Sequence, residues 1–284
     1  MKKCLIIENE FKKESRELAS SVRQFLQERK IESSVFSYDG GAVPKEDMEL
    51  ELNGVDFVIT LGGDGTVLFA SRKCAPLGIP VFSINLGVFG FLAQIPYAEW
   101  QKELDSFLSG KASVEKRSLL SVEVLRSSKT VFSGLCLNDA VVSNNVSLGL
   151  LDMDVAYNRS LLGTFKSTGI IVSTPTGSTA YSAAAGGPIA DPSLDVMILT
   201  PISSFSLSAR PLVFASKGEI AVTLLPSRSS ASISLDGQIN FELEMGDVVI
   251  IGMAEHKALL ACSSGEKFYA ALRSKLNWSG GIRA

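Results

Sequence analysis

Asp56-Phe-Val-Ile-Thr-Leu-Gly-Gly-Asp-Gly-Thr66 is an apolar, β-branched run that breaks into a glycine-rich turn holding one carboxylate, Asp64. The run suits a strand buried on both faces of a parallel sheet. The residues that follow, through Cys74, read as a helix with Thr66 as its cap. Gly62, Gly63 and Gly65 are free to take φ > 0 and to let a ligand approach the backbone, and a helix start offers N–H groups to an anion. The turn is therefore shaped for phosphate. A carboxylate in a phosphate cradle makes electrostatic sense if it takes the proton of an attacking hydroxyl, or if it meets a metal that travels with the phosphates. No Walker A lysine follows and the spacing is not GxGxxG, so the turn alone reads equally as an ordinary Gly/Asp connection.

Around this turn the chain alternates strand and helix. Cys4 to Ile7 is a short apolar strand, and Phe11, Leu18, Val22, Phe25 and Leu26 form one helical stripe. Next come Val35 to Tyr38, a polar connector around Pro44 to Glu51, the quoted strand and helix, and a strand from Ile79 to Ile84. This is βαβ order, so the sheet is parallel and ligands belong beyond the carboxyl ends of its strands. The loop Asn85 to Leu92, with two glycines, falls at the same end as the Gly62 turn. A helix over 98–109, ended by Gly110, closes an α/β domain of residues 1–110.

From there the period changes to two. Leu119 to Leu125, Val131 to Val142, Leu150 to Tyr157, Ile170 to Ser173, Val196 to Leu199, Ile220 to Leu225, Ala231 to Leu235, Ile239 to Leu243 and Val248 to Gly252 all read as strands. Residues 111–266 thus form a β-rich domain, interrupted by helical spacing at Thr179 to Ala185. A closing helix runs from about 267 to 284, clearest at Phe268 to Leu276, and the sequence itself does not tie it to either domain.

A net charge of -3 with no Lys/Arg block argues against nucleic acid as a partner and favours a small ligand. Glu8 and Glu10 interrupt the N-terminal apolar run, so no signal peptide or membrane span is expected, and the reading is cytoplasmic. Cys4, Cys74, Cys136 and Cys262 lack CxxC pairing and read as reduced core residues. One histidine, His256, disfavours a Ser-His-Asp triad or a histidine metal centre, and no dedicated protein metal site is expected.

Three further motifs carry chemistry. Ser173-Thr-Pro-Thr-Gly-Ser-Thr-Ala-Tyr-Ser182 concentrates hydroxyls after a strand; they suit ribose, phosphate or a carboxamide, and equally a short capped helix with Ser178 or Thr179 as cap and Gly186-Gly187-Pro188 as stop. Asn138 and Asp139 at a strand end fit the vicinal hydroxyls of a ribose, or an Asx turn. Asp236-Gly237, between SISL and INFEL, reads first as a hairpin turn.

These residues in this order resemble the NAD kinase family: GGDGT at 62–66, NLGVFGFL at 85–92, LND at 137–139, TPTGSTAYS at 174–182 followed by GGP, SLSARP at 206–211, DGQ at 236–238 and LRSKLNW at 272–278. GGDGT alone is shared with diacylglycerol-type lipid kinases and, shortened, with phosphofructokinases; the TPTGSTAY run is far more specific. The resemblance implies an α/β N-terminal domain, Rossmann-like and phosphofructokinase-like, with a parallel sheet, and a β-rich C-terminal domain, with the last helix packing back on the first. It implies transfer of the ATP γ-phosphoryl to the 2′-hydroxyl of the adenosine ribose of NAD, with Mg²⁺ arriving with ATP, in a homodimer or homotetramer whose neighbouring subunit completes the site. Asp64 would be the base; Gly62, Gly63, Gly65 and Thr66 would hold phosphate. NAD would meet Asp64, Gly65, Phe91, Asn138, Asp139, Thr168, Thr176, Ser178, Thr179, Ala180, Tyr181 and Ser182, with Lys166 as a neutralising cation. Two positions depart from the family: Thr168 stands where it commonly has Asp, and Phe205 where it often has His. An altered grip on the dinucleotide is expected there. The competing readings are a lipid or sugar kinase sharing GGDGT and a dinucleotide sensor without catalysis.

Overall fold

A computed structural model describes residues 2–40, 51–87, 90–145, 149–206, 208–227, 229–262 and 264–276. The Pro44 connector up to Leu50, Val88 and Phe89 of the NLGVFGFL loop, Leu207 of the SLSARP run, and the closing helix beyond residue 276 lie outside them. The chain folds as two compact units, residues 1–116 with 257–284, and residues 117–256.

In the first unit, strands β1 (Lys3–Asn9), β2 (Glu32–Tyr38), β3 (Phe57–Gly62), β4 (Pro80–Asn85) and β5 (Ile95–Pro96) form a parallel sheet ordered β4-β3-β1-β2, with β5 beside the end of β4. Every residue of β3 is buried, as its unbroken apolar run requires. One face of the sheet, with Cys4, Ile6, Ile59, Leu61, Phe82 and Ile84, packs with Leu18, Val22 and Leu26 of α1 (Lys13–Glu28) and with Trp100 and Leu104 of a later helix. Phe11 lies before α1 and is 77 % exposed, so it is not part of the helical stripe.

Helix α2 (Asp64–Cys74) is capped three residues earlier than expected. Its N-cap is Gly63 at φ -120°, with no side-chain cap. Thr66 therefore sits inside the first turn, and Gly62, Gly63 and Gly65 all avoid positive φ. Gly62 is needed for space instead, because a Cβ there would stand 2.3 Å from Thr66 Oγ1. Helix α3 (Trp100–Leu108) ends before Gly110, at φ 71°.

The second unit is antiparallel throughout. The strands are β6 (Val114–Arg126), β7 (Lys129–Cys136), β8 (Asp139–Asn144), β9 (Leu151–Tyr157), β10 (Ser160–Ser167), β11 (Gly169–Ser173), β12 (Val196–Ile202), β13 (Leu212–Ala215), β14 (Glu219–Leu224), β15 (Ala231–Leu235), β16 (Ile239–Leu243) and β17 (Val248–Ala261). One sheet runs β13-β12-β11-β8-β15-β16; β10-β9-β14-β17 and the β6-β7 hairpin supply the facing layer. Alternate residues of both layers, among them Val122, Val142, Val155, Val172, Leu199, Val222 and Ile233, share one core. The chain passes between the units along β6 and β17, and β17 reaches β4 at Leu259–Ala261.

The stretch expected as one strand from Val131 to Val142 is two, broken at Leu137-Asn138. The expected helix at Thr179 to Ala185 is a 3₁₀ turn, Thr176–Thr179, followed by α4 (Tyr181–Ala184), a single turn capped by neither Ser178 nor Thr179. Helix α5 (Gly265–Leu276) belongs to the first unit and buries Phe268, Ala271 and Leu272. Among the described residues no helix is long and apolar enough to cross a membrane.

Candidate functional site

In the first unit β1, β3 and β4 end side by side, at Asn9, Gly62 and Asn85. Asp64 opens α2 just beyond β3. Its carboxylate accepts three backbone N–H bonds from the loop after β4: Phe91 to Oδ2 at 2.9 Å, and Leu92 and Ala93 to Oδ1 at 3.1 and 2.9 Å. A carboxylate has about four acceptor positions. One is thus left for a hydroxyl. The approach of loop to carboxylate needs Gly90, where a Cβ would stand 1.9 Å from Asp64 Oδ1. Asn85 holds both ends of the loop, donating to Ala93 O at 3.1 Å and accepting Gly87 N–H at 2.8 Å.

The neighbouring turn is tied to the same place. Asn9 Nδ2 donates to Thr66 Oγ1 at 3.4 Å. Lys12 Nζ donates to Leu86 O at 3.0 Å, and Leu86 N–H to Gly62 O at 2.9 Å, so an ammonium stands one peptide from the phosphate-type turn. Phe91 lies 6.0 Å from the Phe268 ring of α5, with Lys275 Nζ 5.2 Å over its face. Asn9, Lys12, Asn85 and Gly90 are not legible as site residues in the sequence, because their roles depend on which strand ends meet. All four cysteines are buried thiols outside any disulfide, and burial pushes those of Cys74 and Cys262 up to about 12.

In the second unit the LND, TPTGSTAY and DGQ motifs converge. The link between β7 and β8 has no ladder partner of its own at Leu137 and Asn138. Asp236 accepts Leu137 N–H at Oδ2 (3.0 Å) and those of Asn138 and Asp139 at Oδ1 (2.7 and 3.3 Å). On the other side Thr174 donates from Oγ1 to Leu137 O at 2.6 Å and from N–H to Asn138 O at 2.9 Å. Gly177 lies so near that a Cβ would be 2.0 Å from Asn138 O.

Asp139 is 4 % exposed. Burial first, and the Asp236 charge second, raise its carboxyl to about 7, against the pull of a bond from Tyr181 N–H. Ser173 Oγ, opposite Asp139 in the ladder, and Thr176 Oγ1 are buried without a hydrogen-bond partner. Such groups ask for a ligand donor or acceptor.

The other hydroxyls of the motif build the loop. Ser178 Oγ donates to Pro175 O at 2.6 Å and accepts Ala190 N–H at 3.0 Å; Thr179 Oγ1 donates to Thr176 O at 3.3 Å; Ser182 and Thr200 share a bond of 2.9 Å. Ala180 links the 3₁₀ turn to α4, and the Tyr181 ring is 48 % exposed. Thr168 turns its Oγ1 to Ile202 O at 3.0 Å, and Lys166 stands 3.9 Å from Asp152. Phe205 is 76 % exposed, and His256 is also on the surface.

Residues 43–112 match the ATP-NAD kinase N-terminal domain and residues 137–262 the ATP-NAD kinase C-terminal domain. The chain is 47 % identical to an NAD kinase of Treponema denticola over 281 residues, 99 % of this chain and 98 % of that one. The chain belongs to the NAD kinase family. Another family member, an NAD kinase of Treponema pallidum, is 41 % identical over 99 % of this chain and 91 % of its own. The fold is that of a yeast NADH kinase crystallised with NADH, at a TM-score of 0.88 and 22 % identity over 99 % of this chain and 89 % of that one. An NAD kinase from Archaeoglobus fulgidus in complex with ATP aligns at a TM-score of 0.77 and 25 % identity, over 97 % of this chain and 98 % of its own. The family's motifs thus fall on an α/β unit with a parallel sheet and on a β-rich unit.

Proposed function

We propose that the protein is an NAD kinase that transfers the γ-phosphoryl group of ATP to the 2′-hydroxyl of the adenosine ribose of NAD, yielding NADP and ADP. The observation that carries this reading is 47 % identity over 99 % of the chain to the Treponema denticola NAD kinase, with Asp64 in the glycine turn. Phosphoryl transfer asks a protein mainly for positioning and charge neutralisation. Asp64 keeps one acceptor position beside its three amide bonds, and that position takes the proton of the 2′-hydroxyl as its oxygen attacks the γ-phosphorus and ADP leaves.

The turn Gly62–Thr66 faces the donor phosphates with the N–H groups of α2, and Lys12 adds a positive charge at the neighbouring loop. Asn138 and Asp139 take ribose hydroxyls, and Thr176 offers its unpartnered hydroxyl to NAD. Gly65, Phe91, Ala180 and Tyr181 line the adenine and nicotinamide ends; Ser178, Thr179 and Ser182 reach NAD through backbone, since their hydroxyls hold the loop. Thr168 flanks the nicotinamide end, and Lys166 serves as a neutralising cation. Among the described residues no three His, Cys, Asp or Glu side chains gather to hold a metal. In this reading Mg²⁺ enters with ATP, as part of the substrate. In the same reading the enzyme is a cytoplasmic homodimer or homotetramer whose neighbouring subunit completes the site.

Incubation with NAD, ATP and Mg²⁺, with NADP followed by an NADP-specific dehydrogenase, tests the activity. NAD binding without NADP would make the protein a sensor, and turnover of diacylglycerol instead would make it a lipid kinase. Asp64→Asn is expected to slow turnover by at least ~10²-fold while NAD still binds, the scale of a lost general base. A near wild-type rate would remove Asp64 from that role.

A further inference from the structure

Asp236 begins the turn between β15 and β16, at φ 52°, with Gly237 at φ 65°. A hairpin turn whose first two residues both have positive φ is served as well by Asn-Gly as by Asp-Gly, and its first side chain ordinarily faces water. Here the side chain is 9 % exposed and its carboxylate reaches back to Leu137, Asn138 and Asp139. Its own N–H bonds Asp139 O at 2.9 Å, so turn and strand end hold each other. No neutral side chain of that size offers three acceptor positions without also aiming a donor at those amides. The arrangement sets two carboxyl groups close together in a buried place, which a turn built for stability alone would avoid.

We propose that Asp236 is the positioning residue of the dinucleotide site: its carboxylate fixes the β7–β8 break so that Asn138 and Asp139 present their side chains to the ribose hydroxyls. This rests on the reading in which Asn138 and Asp139 hold NAD. The groups facing the Asp139 carboxyl are Asp236 from the β15–β16 turn, the Tyr181 N–H from α4, and Ser173 across the ladder on β11. Asp236 thus sets the charge state of Asp139 as well as its place. Below about pH 7 Asp139 holds a proton and accepts one fewer hydroxyl, so the KM for NAD rises as the pH falls.

The test is steady-state kinetics of Asp236→Asn against pH. The expected result is an NAD KM at least ~10-fold higher, a kcat within ~3-fold of wild type, an unchanged ATP KM, and an acid inflection in the NAD KM moved to lower pH because a neighbouring charge is gone. A wild-type NAD KM and inflection, or a fall in Vmax alone, would overturn the proposal, since a purely structural turn loses active protein without moving either. If Asp236→Asn does not fold, Asp236→Glu is measured: a raised NAD KM with the inflection near that of wild type supports the role, and a wild-type KM overturns it. Asn138→Ala separates the two levels. If it raises the NAD KM while Asp236→Asn does not, Asn138 holds NAD and Asp236 does not position it; if it leaves the KM unchanged, the dinucleotide reading of that strand end fails first.

Discussion

Asp139 carries a proton to an unusually high pH for a carboxyl, about 7, chiefly because it is buried. An unfolded chain releases the same proton near pH 4. Between those values the folded protein binds more protons than the unfolded one, so stability falls as the pH rises through that window and levels off above it. Over the full window the contribution is roughly 4 kcal/mol. We predict that Asp139→Asn loses less stability between pH 5 and pH 8 than wild type does, measured by denaturant unfolding at both values. Equal losses would assign the slope to other groups. At this scale the sequence shows which residue types gather, Asn138 and Asp139 with the hydroxyls of 173–182, but not that Ser178 and Ser182 face inward while Ser173 and Thr176 lack partners. Within the 3₁₀ turn Ser178 and Thr179 bond the carbonyls three residues back, at Pro175 and Thr176, whereas Ser182 bonds Thr200 and Ser173 lies on β11.

The loop after β4 is the element that decides what Asp64 can do. It closes on the carboxylate through three N–H bonds, and only glycine fits at its near approach. We predict that Gly90→Ala pushes the loop off Asp64, lowers kcat/KM by at least ~10-fold and reduces stability by about 1–3 kcal/mol, the range for forced overpacking. Steady-state rates and denaturation midpoints check both, and wild-type rates would show that the closed loop is not needed for turnover. Elements with strong periodicity are legible in the sequence: β3 from its unbroken apolar run, α1 from Leu18, Val22 and Leu26, and β15 and β16 from alternation. Three strands are not, of which β5 is only the pair Ile95–Pro96. β10 carries exposed Leu161 and Leu162 and a register shift before Gly163, which hide its alternation, and β13 is a four-residue edge strand with Val213 55 % exposed. The α2 cap differs from the expected Thr66 because Gly63 takes the extended conformation that ends β3, leaving Thr66 inside the first turn.

For the molecule as a whole, the change of period near residue 110 signals a second kind of unit, and the ordered motifs carry the family. The pairing of Asp236 with residues 137–139 could not be read from spacing, because nothing local shows that β15 lies beside β8. The single histidine and the scattered carboxylates carry no metal-ligand spacing in the sequence, and the expectation that follows from this is tested by chelation. In the proposed reaction the cation arrives with the triphosphate, whose oxygens suit Mg²⁺. We predict that EDTA abolishes NADP formation, that added Mg²⁺ restores it, and that EDTA leaves the thermal unfolding midpoint and the affinity for NAD without ATP unchanged. A metal bound to the native protein would stabilise it by mass action. A fall in the midpoint on chelation, reversed by Mg²⁺ in the absence of nucleotide, would therefore assign the ion to the protein and overturn its entry with ATP.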